Sequence, residues 1–144
     1  VTVPEAAPAA GDCPLCRADG GALLWRDDFC RVVLADEPDW PGFCRVILAR
    51  HVREMTDLGE AERMRLMRAV FATEAALREL LGPDKINLAS LGNQVPHLHW
   101  HVIPRFRDDR GFPDPIWAAP RRDTPARAAP DTARLAAALH ARLA

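Results

Sequence analysis

The residue pattern predicts an α+β domain, and three observations carry that prediction. Three β-rich runs come first, one long stretch with apolar residues every three or four positions follows, and two further alternating runs complete the order strand–strand–strand–helix–strand–strand. The last run, Pro96-His97-Leu98-His99-Trp100-His101-Val102-Ile103-Pro104, organises the rest. On a strand, His97, His99 and His101 point to one side while Leu98, Trp100 and Val102 point to the other. The apolar side reads as core and the histidine side as a working surface. Two histidines at i, i+2 are a familiar metal-ligand pair, but His97 and His101 lie roughly 13 Å apart on an extended chain. All three therefore cannot grip one ion, and at least one imidazole has another task.

Taken in order, the chain begins with an Ala/Pro-rich segment, residues 1–11, expected to be poorly ordered. Cys13-Pro14-Leu15-Cys16 follows as a turn-like knuckle ending at Gly20-Gly21. A redox C-x-x-C would sit between a strand and a helix, and no strand precedes this one. A structural metal knuckle is the preferred reading, provided two further ligands exist. Strands are expected at Ala22–Arg26, at 30–35 and at 43–49, separated by Asp27-Asp28 and by Pro38-Asp39-Trp40-Pro41-Gly42. Cys30 and Cys44 sit singly in these runs and read as small core residues. His51, just beyond the third strand, reads by itself as a loop histidine.

A long helix is expected from about Leu58 to Leu81, opened by a capping-box-like Asp57…Glu60 pair and stopped by Gly82-Pro83. Met67, Val70, Phe71, Leu77 and Leu81 form its apolar stripe. The fourth strand spans 85–91, and Gly92-Asn93-Gln94 turns the chain into the histidine strand. After Pro104 the sequence reads as charged and irregular, from Arg105 to Arg110, and then as an Ala/Pro/Arg linker through Pro130. Asp131 can cap a last helix with a Leu135, Leu139, Leu143 stripe, leaving His140 to solvent. The expected organisation is a flexible segment 1–11, one domain over 12–118, and a linker with a C-terminal helix over 119–144.

Composition bounds the function. At 144 residues, 49% of them hydrophobic and 27% charged, the chain has the make-up of one globular domain. A net charge of −1 offers no support for a nucleic-acid-binding surface. No apolar run approaches the ~20 residues needed to span a bilayer. The opening Val1-Thr2-Val3-Pro4-Glu5 lacks the basic and apolar regions of a signal peptide, so reduced thiols and a cytoplasmic address are expected.

His97-Leu-His99-Trp-His101-Val-Ile resembles the signature of the histidine triad (HIT) superfamily of nucleotide hydrolases and transferases, three histidines each followed by an apolar residue. Gly42, the Asp57-Leu58 helix entry, Asn87 and Gly92 support the likeness, which spans roughly Cys13 to Trp117. The resemblance implies an antiparallel sheet of about five strands with the long helix on one face, and a homodimer. It implies that His99 is the nucleophile toward an α-phosphate, forming a nucleotidyl-histidine intermediate, and that His101 hydrogen-bonds the scissile or leaving oxygen. Asn87, Gly92, Asn93 and Gln94 would hold phosphate and ribose, and Asp36 the ribose hydroxyls. Some relatives carry zinc on a C-x-x-C knuckle, a histidine after the third strand and the first triad histidine. Cys13, Cys16, His51 and His97 match that set, and Cys₂His₂ is a closed, structural one. No Mg²⁺ requirement is implied.

Three positions depart from the family pattern. Asn93 stands where glutamine is common, Gln94 where serine or threonine is, and Phe43 follows Gly42 where a relay histidine is usual. His101 in place of glutamine argues for hydrolysis over nucleotidyl transfer. The implied substrates are dinucleoside polyphosphates or nucleoside phosphoramidates, and the ending His101-Val-Ile-Pro-Arg105 resembles the polyphosphate hydrolase branch. The alternatives are a non-catalytic, zinc-stabilised nucleotide-binding or interaction module and a nucleotidyl transferase.

Overall fold

The structure is a computed structural model that describes residues 10–125 and 127–144. The Ala/Pro-rich opening lies, for residues 1–9, outside the described residues. A short helix α1 (Pro14–Arg17) leads into β1 (Ala22–Arg26), β2 (Cys30–Leu34) and β3 (Cys44–Leu48). Helix α2 (Glu60–Leu81), β4 (Lys85–Ala89), β5 (His99–Arg105) and α3 (Thr132–Leu143) complete the order. The five strands form one antiparallel sheet in the order β1-β2-β3-β5-β4, the α+β architecture that the pattern predicts.

Alternation sorts the sheet into two faces. Val32, Val46, Leu48, Val102 and Ile86 turn toward α2 and join Leu66, Val70, Leu77, Leu135 and Leu139 in the main core. Cys30 and Cys44 are buried in that core, and burial pushes both thiols up to about 12, so neither is reactive. Helix α3 packs against α2 and β1 and begins at Asp131, whose carboxylate accepts the Ala133 and Arg134 amide N–H groups at 3.0 and 3.2 Å. No helix among the described residues is long and apolar enough to cross a membrane.

Four sequence expectations need correction. The Asp57…Glu60 box is absent: Asp57 instead accepts the Glu54 N–H within a 3₁₀ turn (Met55–Asp57), and α2 opens at Gly59, whose N–H reaches Glu62 Oε1 at 3.2 Å. Phe71 is 55% exposed, because the buried face is drawn through small residues Ala69, Ala72, Thr73 and Ala76 that let the helix lie close on the sheet. The histidine strand starts at His99 rather than His97, since the His97 N–H turns back to the Val95 carbonyl at 2.8 Å and the ladder begins after it. At its other end β5 runs through Pro104 to Arg105. There β3 has already ended opposite Val102, and a strand with one neighbour tolerates a missing donor.

Arg105 is therefore not part of an irregular charged tail. It is 1% exposed and meets Asp109 through two hydrogen bonds of 2.8 and 3.0 Å, Asn87 Oδ1 at 2.7 Å and the Asp114 carbonyl at 2.7 Å. Burial pushes the Asp109 carboxyl up, but the Arg105 guanidinium and the N–H groups of Phe106, Gly111 and Phe112 outweigh it and hold the group below the usual carboxylate value. This ion pair pins the segment after β5 against the sheet.

Candidate functional site

The face of the sheet opposite α2 carries the polar residues. Cross-strand pairing sets Ile47 opposite His99, Arg45 opposite His101 and Ala89 on the other flank of His101, so all of these side chains share one face. Glycine allows two close approaches, Gly42 on the α2 side of the sheet and Gly92 beside the histidines. Gly42 has φ +90°, and a Cβ there would meet Leu81 Cδ1 at 2.5 Å. Gly92 has φ +68°, which shapes the loop feeding the histidines.

His99 is buried, and its Nδ1 lies 2.6 Å from the His97 carbonyl. A carbonyl only accepts, so Nδ1 carries the hydrogen and Nε2 keeps its lone pair. The Ser90 hydroxyl donates to the His99 carbonyl at 2.8 Å and steadies the same backbone. Burial lowers the His99 pKa below its ordinary value of 6.5, with nearby Arg45 acting in the same direction, and the hydrogen bond to His97 only partly opposes this. The imidazole is thus neutral at pH 7.

His101 stands edge-on to His99, ring centroids 5.0 Å apart at 87°. Burial first, then His99 and Arg45, push its pKa down to about 4. The Phe43 ring sits 5.3 Å away at 52°, and His101 Nδ1 is buried with no hydrogen-bond partner among the described residues. The aromatic residue at position 43 supplies shape where a relay histidine would supply a polar atom. His99 and His101 line a cavity of about 620 Å³ with Arg45, Gly92, Asn93, Gln94 and Trp117, walled on one side by Pro14, Leu15 and Gly20 of the N-terminal knuckle.

His97 has the opposite arrangement. Its Nε2 lies 2.6 Å from the Leu48 carbonyl and donates there, which leaves Nδ1 bare. That atom faces Cys13 Sγ and Cys16 Sγ at 3.4 Å each and His51 Nδ1 at 3.3 Å. Cys16 Sγ also lies 3.4 Å from His51 Nδ1, and all four donor atoms fall within 4.8 Å of one another. A tetrahedral zinc with bonds of ~2.0–2.1 Å to nitrogen and ~2.3 Å to sulfur needs donors about 3.3–3.8 Å apart. The four residues fit a metal ion, and all are free cysteines or histidines turned inward to one point.

Arg31, which sequence reasoning passed over, holds the knuckle in place. Its buried guanidinium donates to the carbonyls of Asp19, Leu15 and Ala18 at 2.9, 2.7 and 3.0 Å. Arg45 was missed likewise, because nothing local in β3 says which residue lies across from His101. Of the expected phosphate and ribose contacts, Gly92, Asn93 and Gln94 line the histidine cavity. Asn87 shares the face but belongs to an adjoining cavity of about 430 Å³, its amide oxygen taken by Arg105. Asp36 is exposed and lies outside both cavities.

Comparison with known proteins bears on the whole arrangement. The family model described as HIT domain matches residues 20–108. Among solved structures, a histidine triad protein from Marinobacter aquaeolei VT8 is 28% identical, with a TM-score of 0.71 over 86% of this chain and 92% of that one. Histidine triad protein blr8122 from Bradyrhizobium japonicum is 26% identical at a TM-score of 0.68, over 87% and 92% of the two chains. The protein SMc02904 from Sinorhizobium meliloti 1021 is also 26% identical at 0.68, over 87% and 91%. None of the curated proteins matches the chain.

Proposed function

The chain belongs to the HIT domain family, and from that premise we propose that it is a nucleotide hydrolase acting at the α-phosphate of a nucleoside phosphate derivative through a covalent nucleotidyl-His99 intermediate. One observation carries the reading: His99 is locked in the tautomer whose Nε2 lone pair is free, beside a cavity that also holds a second neutral imidazole and a guanidinium.

In the first step the Nε2 lone pair attacks the α-phosphorus. A P–N bond forms while the bond from phosphorus to the leaving group breaks, and its electron pair departs with the leaving atom. The imidazole then carries positive charge, and its Nδ1–H bond to the His97 carbonyl becomes charge-assisted. In the second step water attacks the same phosphorus and loses a proton to solvent, the P–N bond breaks with its electron pair returning to Nε2, and a nucleoside monophosphate leaves. With a pKa of about 4, His101 holds no spare proton at neutral pH. It acts as a neutral donor: hydrogen on Nε2, lone pair on the buried Nδ1, and the N–H offered to the scissile or leaving oxygen. The 92–94 loop lines the same cavity, and its amides would hold phosphate oxygens.

Zinc on Cys13, Cys16, His51 and His97 would be structural, a closed set tying the N-terminal knuckle to the residue two before the nucleophile. The proposal includes the homodimer that the family resemblance implies, read by light scattering, and a cytoplasmic setting suited to four free thiols. The experiment for the reaction is single-turnover exposure to α-³²P-labelled substrate, stopped in alkaline denaturant, because a phosphorus–imidazole bond does not survive acid. Label on His99 that decays with product formation is expected. Tight nucleotide binding with no label and no product would instead mark a non-catalytic binding module.

A further inference from the structure

Arg45 stands apart from the other arginines of the sheet. Arg31 meets three carbonyls and Arg105 is ion-paired with Asp109. Arg45 has one polar contact among the described residues, the Gly20 carbonyl at 3.5 Å, and its guanidinium lies over the Phe43 ring at 4.9 Å. Among the described residues no carboxylate pairs with it, and neither aspartate nor glutamate lines the cavity it faces. A half-buried guanidinium that spends one donor on a long hydrogen bond keeps the rest of its planar fork free for an anion entering the cavity. Its place is specific: Arg45 is the direct cross-strand partner of His101, so the two Cβ atoms lie about 4.5–5.5 Å apart.

We infer that Arg45 anchors the leaving group, and that the leaving group is therefore a further phosphate rather than an amine. The inference rests on the hydrolase reading above and narrows its substrate to nucleoside 5′-phosphates joined to a phosphate chain. When the α-phosphorus–oxygen bond breaks, its electron pair stays on the bridging oxygen, and the departing phosphate gains a negative charge. A guanidinium beside His101 meets that charge with a planar fork of donors. An amine leaving group has no such charge to offer, and a cationic one would be repelled. Phe43 fits the same picture, because its ring lies against both the guanidinium and the His101 ring.

The test uses the full chain and two readouts. Calorimetry with inorganic tripolyphosphate should show binding that weakens by about 10- to 100-fold in Arg45→Gln, the loss expected for a charged hydrogen-bonding partner, and recovers in part in Arg45→Lys. Kinetics on diadenosine tetraphosphate and on adenosine 5′-phosphoramidate should show the ratio of their kcat/KM values falling by the same factor in Arg45→Gln. An unaltered ratio with equal losses on both substrates overturns the inference, because Arg45 would then serve only the α-phosphate or the fold. Tripolyphosphate binding that is unchanged in Arg45→Gln, or absent in the wild type, overturns it too. If the wild type cleaves neither substrate, the hydrolase reading fails by itself. The tripolyphosphate comparison then still decides whether Arg45 holds a phosphate chain.

Discussion

His97 and His99 are two residues apart, both are buried, and each donates one ring N–H to a backbone carbonyl at 2.6 Å. They differ in which nitrogen is spent. His97 gives up Nε2 and turns Nδ1 into a set of two sulfurs and a second imidazole, while His99 gives up Nδ1 and keeps Nε2 for a cavity. One hydrogen bond thus frees on one histidine the nitrogen that suits a metal set, and on its neighbour the nitrogen that faces the cavity. The same residue type at neighbouring positions acquires its chemistry from the carbonyl within reach, not from its own pKa.

The comparison can be broken most severely at His99. His99→Ala should abolish both turnover and nucleotidyl labelling while metal content stays at the wild-type value, measured by single-turnover trapping and elemental analysis. Label persisting on another residue would remove His99 from the nucleophile's role. His101→Ala should lower kcat by ~10²–10³, the usual cost of one oxyanion-type donor, yet leave slow labelling detectable.

On the metal side, Cys13→Ser with Cys16→Ser should lose bound zinc and melt about 10 °C lower, the shift that a loss of roughly 2–4 kcal/mol produces in a domain of this size. Scanning calorimetry on protein purified without chelator reads this. A melting temperature equal to the wild type's would show that the knuckle contributes nothing to the fold. Away from both histidines, Arg105→Met should destabilise by about 3–5 kcal/mol, since it strands the Asp109 carboxylate in a buried site, and chemical denaturation measures it.

The smallest effect is on pH. His99 and His101 have folded pKa values below 6.5, His101 about 4, whereas in the unfolded chain each takes up a proton near 6.5. Between those values the unfolded chain binds more protons, so stability is full above about pH 6.5 and falls as the pH drops toward 4. Activity should follow, with an acid limb below 6.5 because attack needs neutral His99. An acid limb at or above 6.5 in a kcat/KM profile would contradict the burial that sets these values.

How much of this was legible depends on the range of the interaction involved. Alternation over Leu98, Trp100 and Val102 placed the histidines on one face without any knowledge of the partner strands, because side-chain direction on a strand is local. The ends of that strand were misjudged, because His97 is held by a loop carbonyl and Arg105 by an ion pair with Asp109. Phe71 looked like core for the same reason: helical spacing gives a face but not its orientation, which close packing of Ala69, Ala72 and Ala76 decided. Asn87 Oδ1 accepts from Arg105, a contact between strands that no local pattern records.

By itself the sequence determined the element order, the polar face of the histidine strand, the caps at Gly82 and Asp131, and the residue types available for a metal set. These follow from φ preferences, periodicity and spacing, all properties of neighbouring residues. Only the tertiary structure decided which ring nitrogen of His97 and of His99 is free, that Arg45 lies across from His101 with no carboxylate partner among the described residues, and that Cys13, Cys16, His51 and His97 converge as a set that could hold one ion. Each of these depends on atoms brought together from distant parts of the chain. Register and burial set them, and neither exists until the sheet has formed.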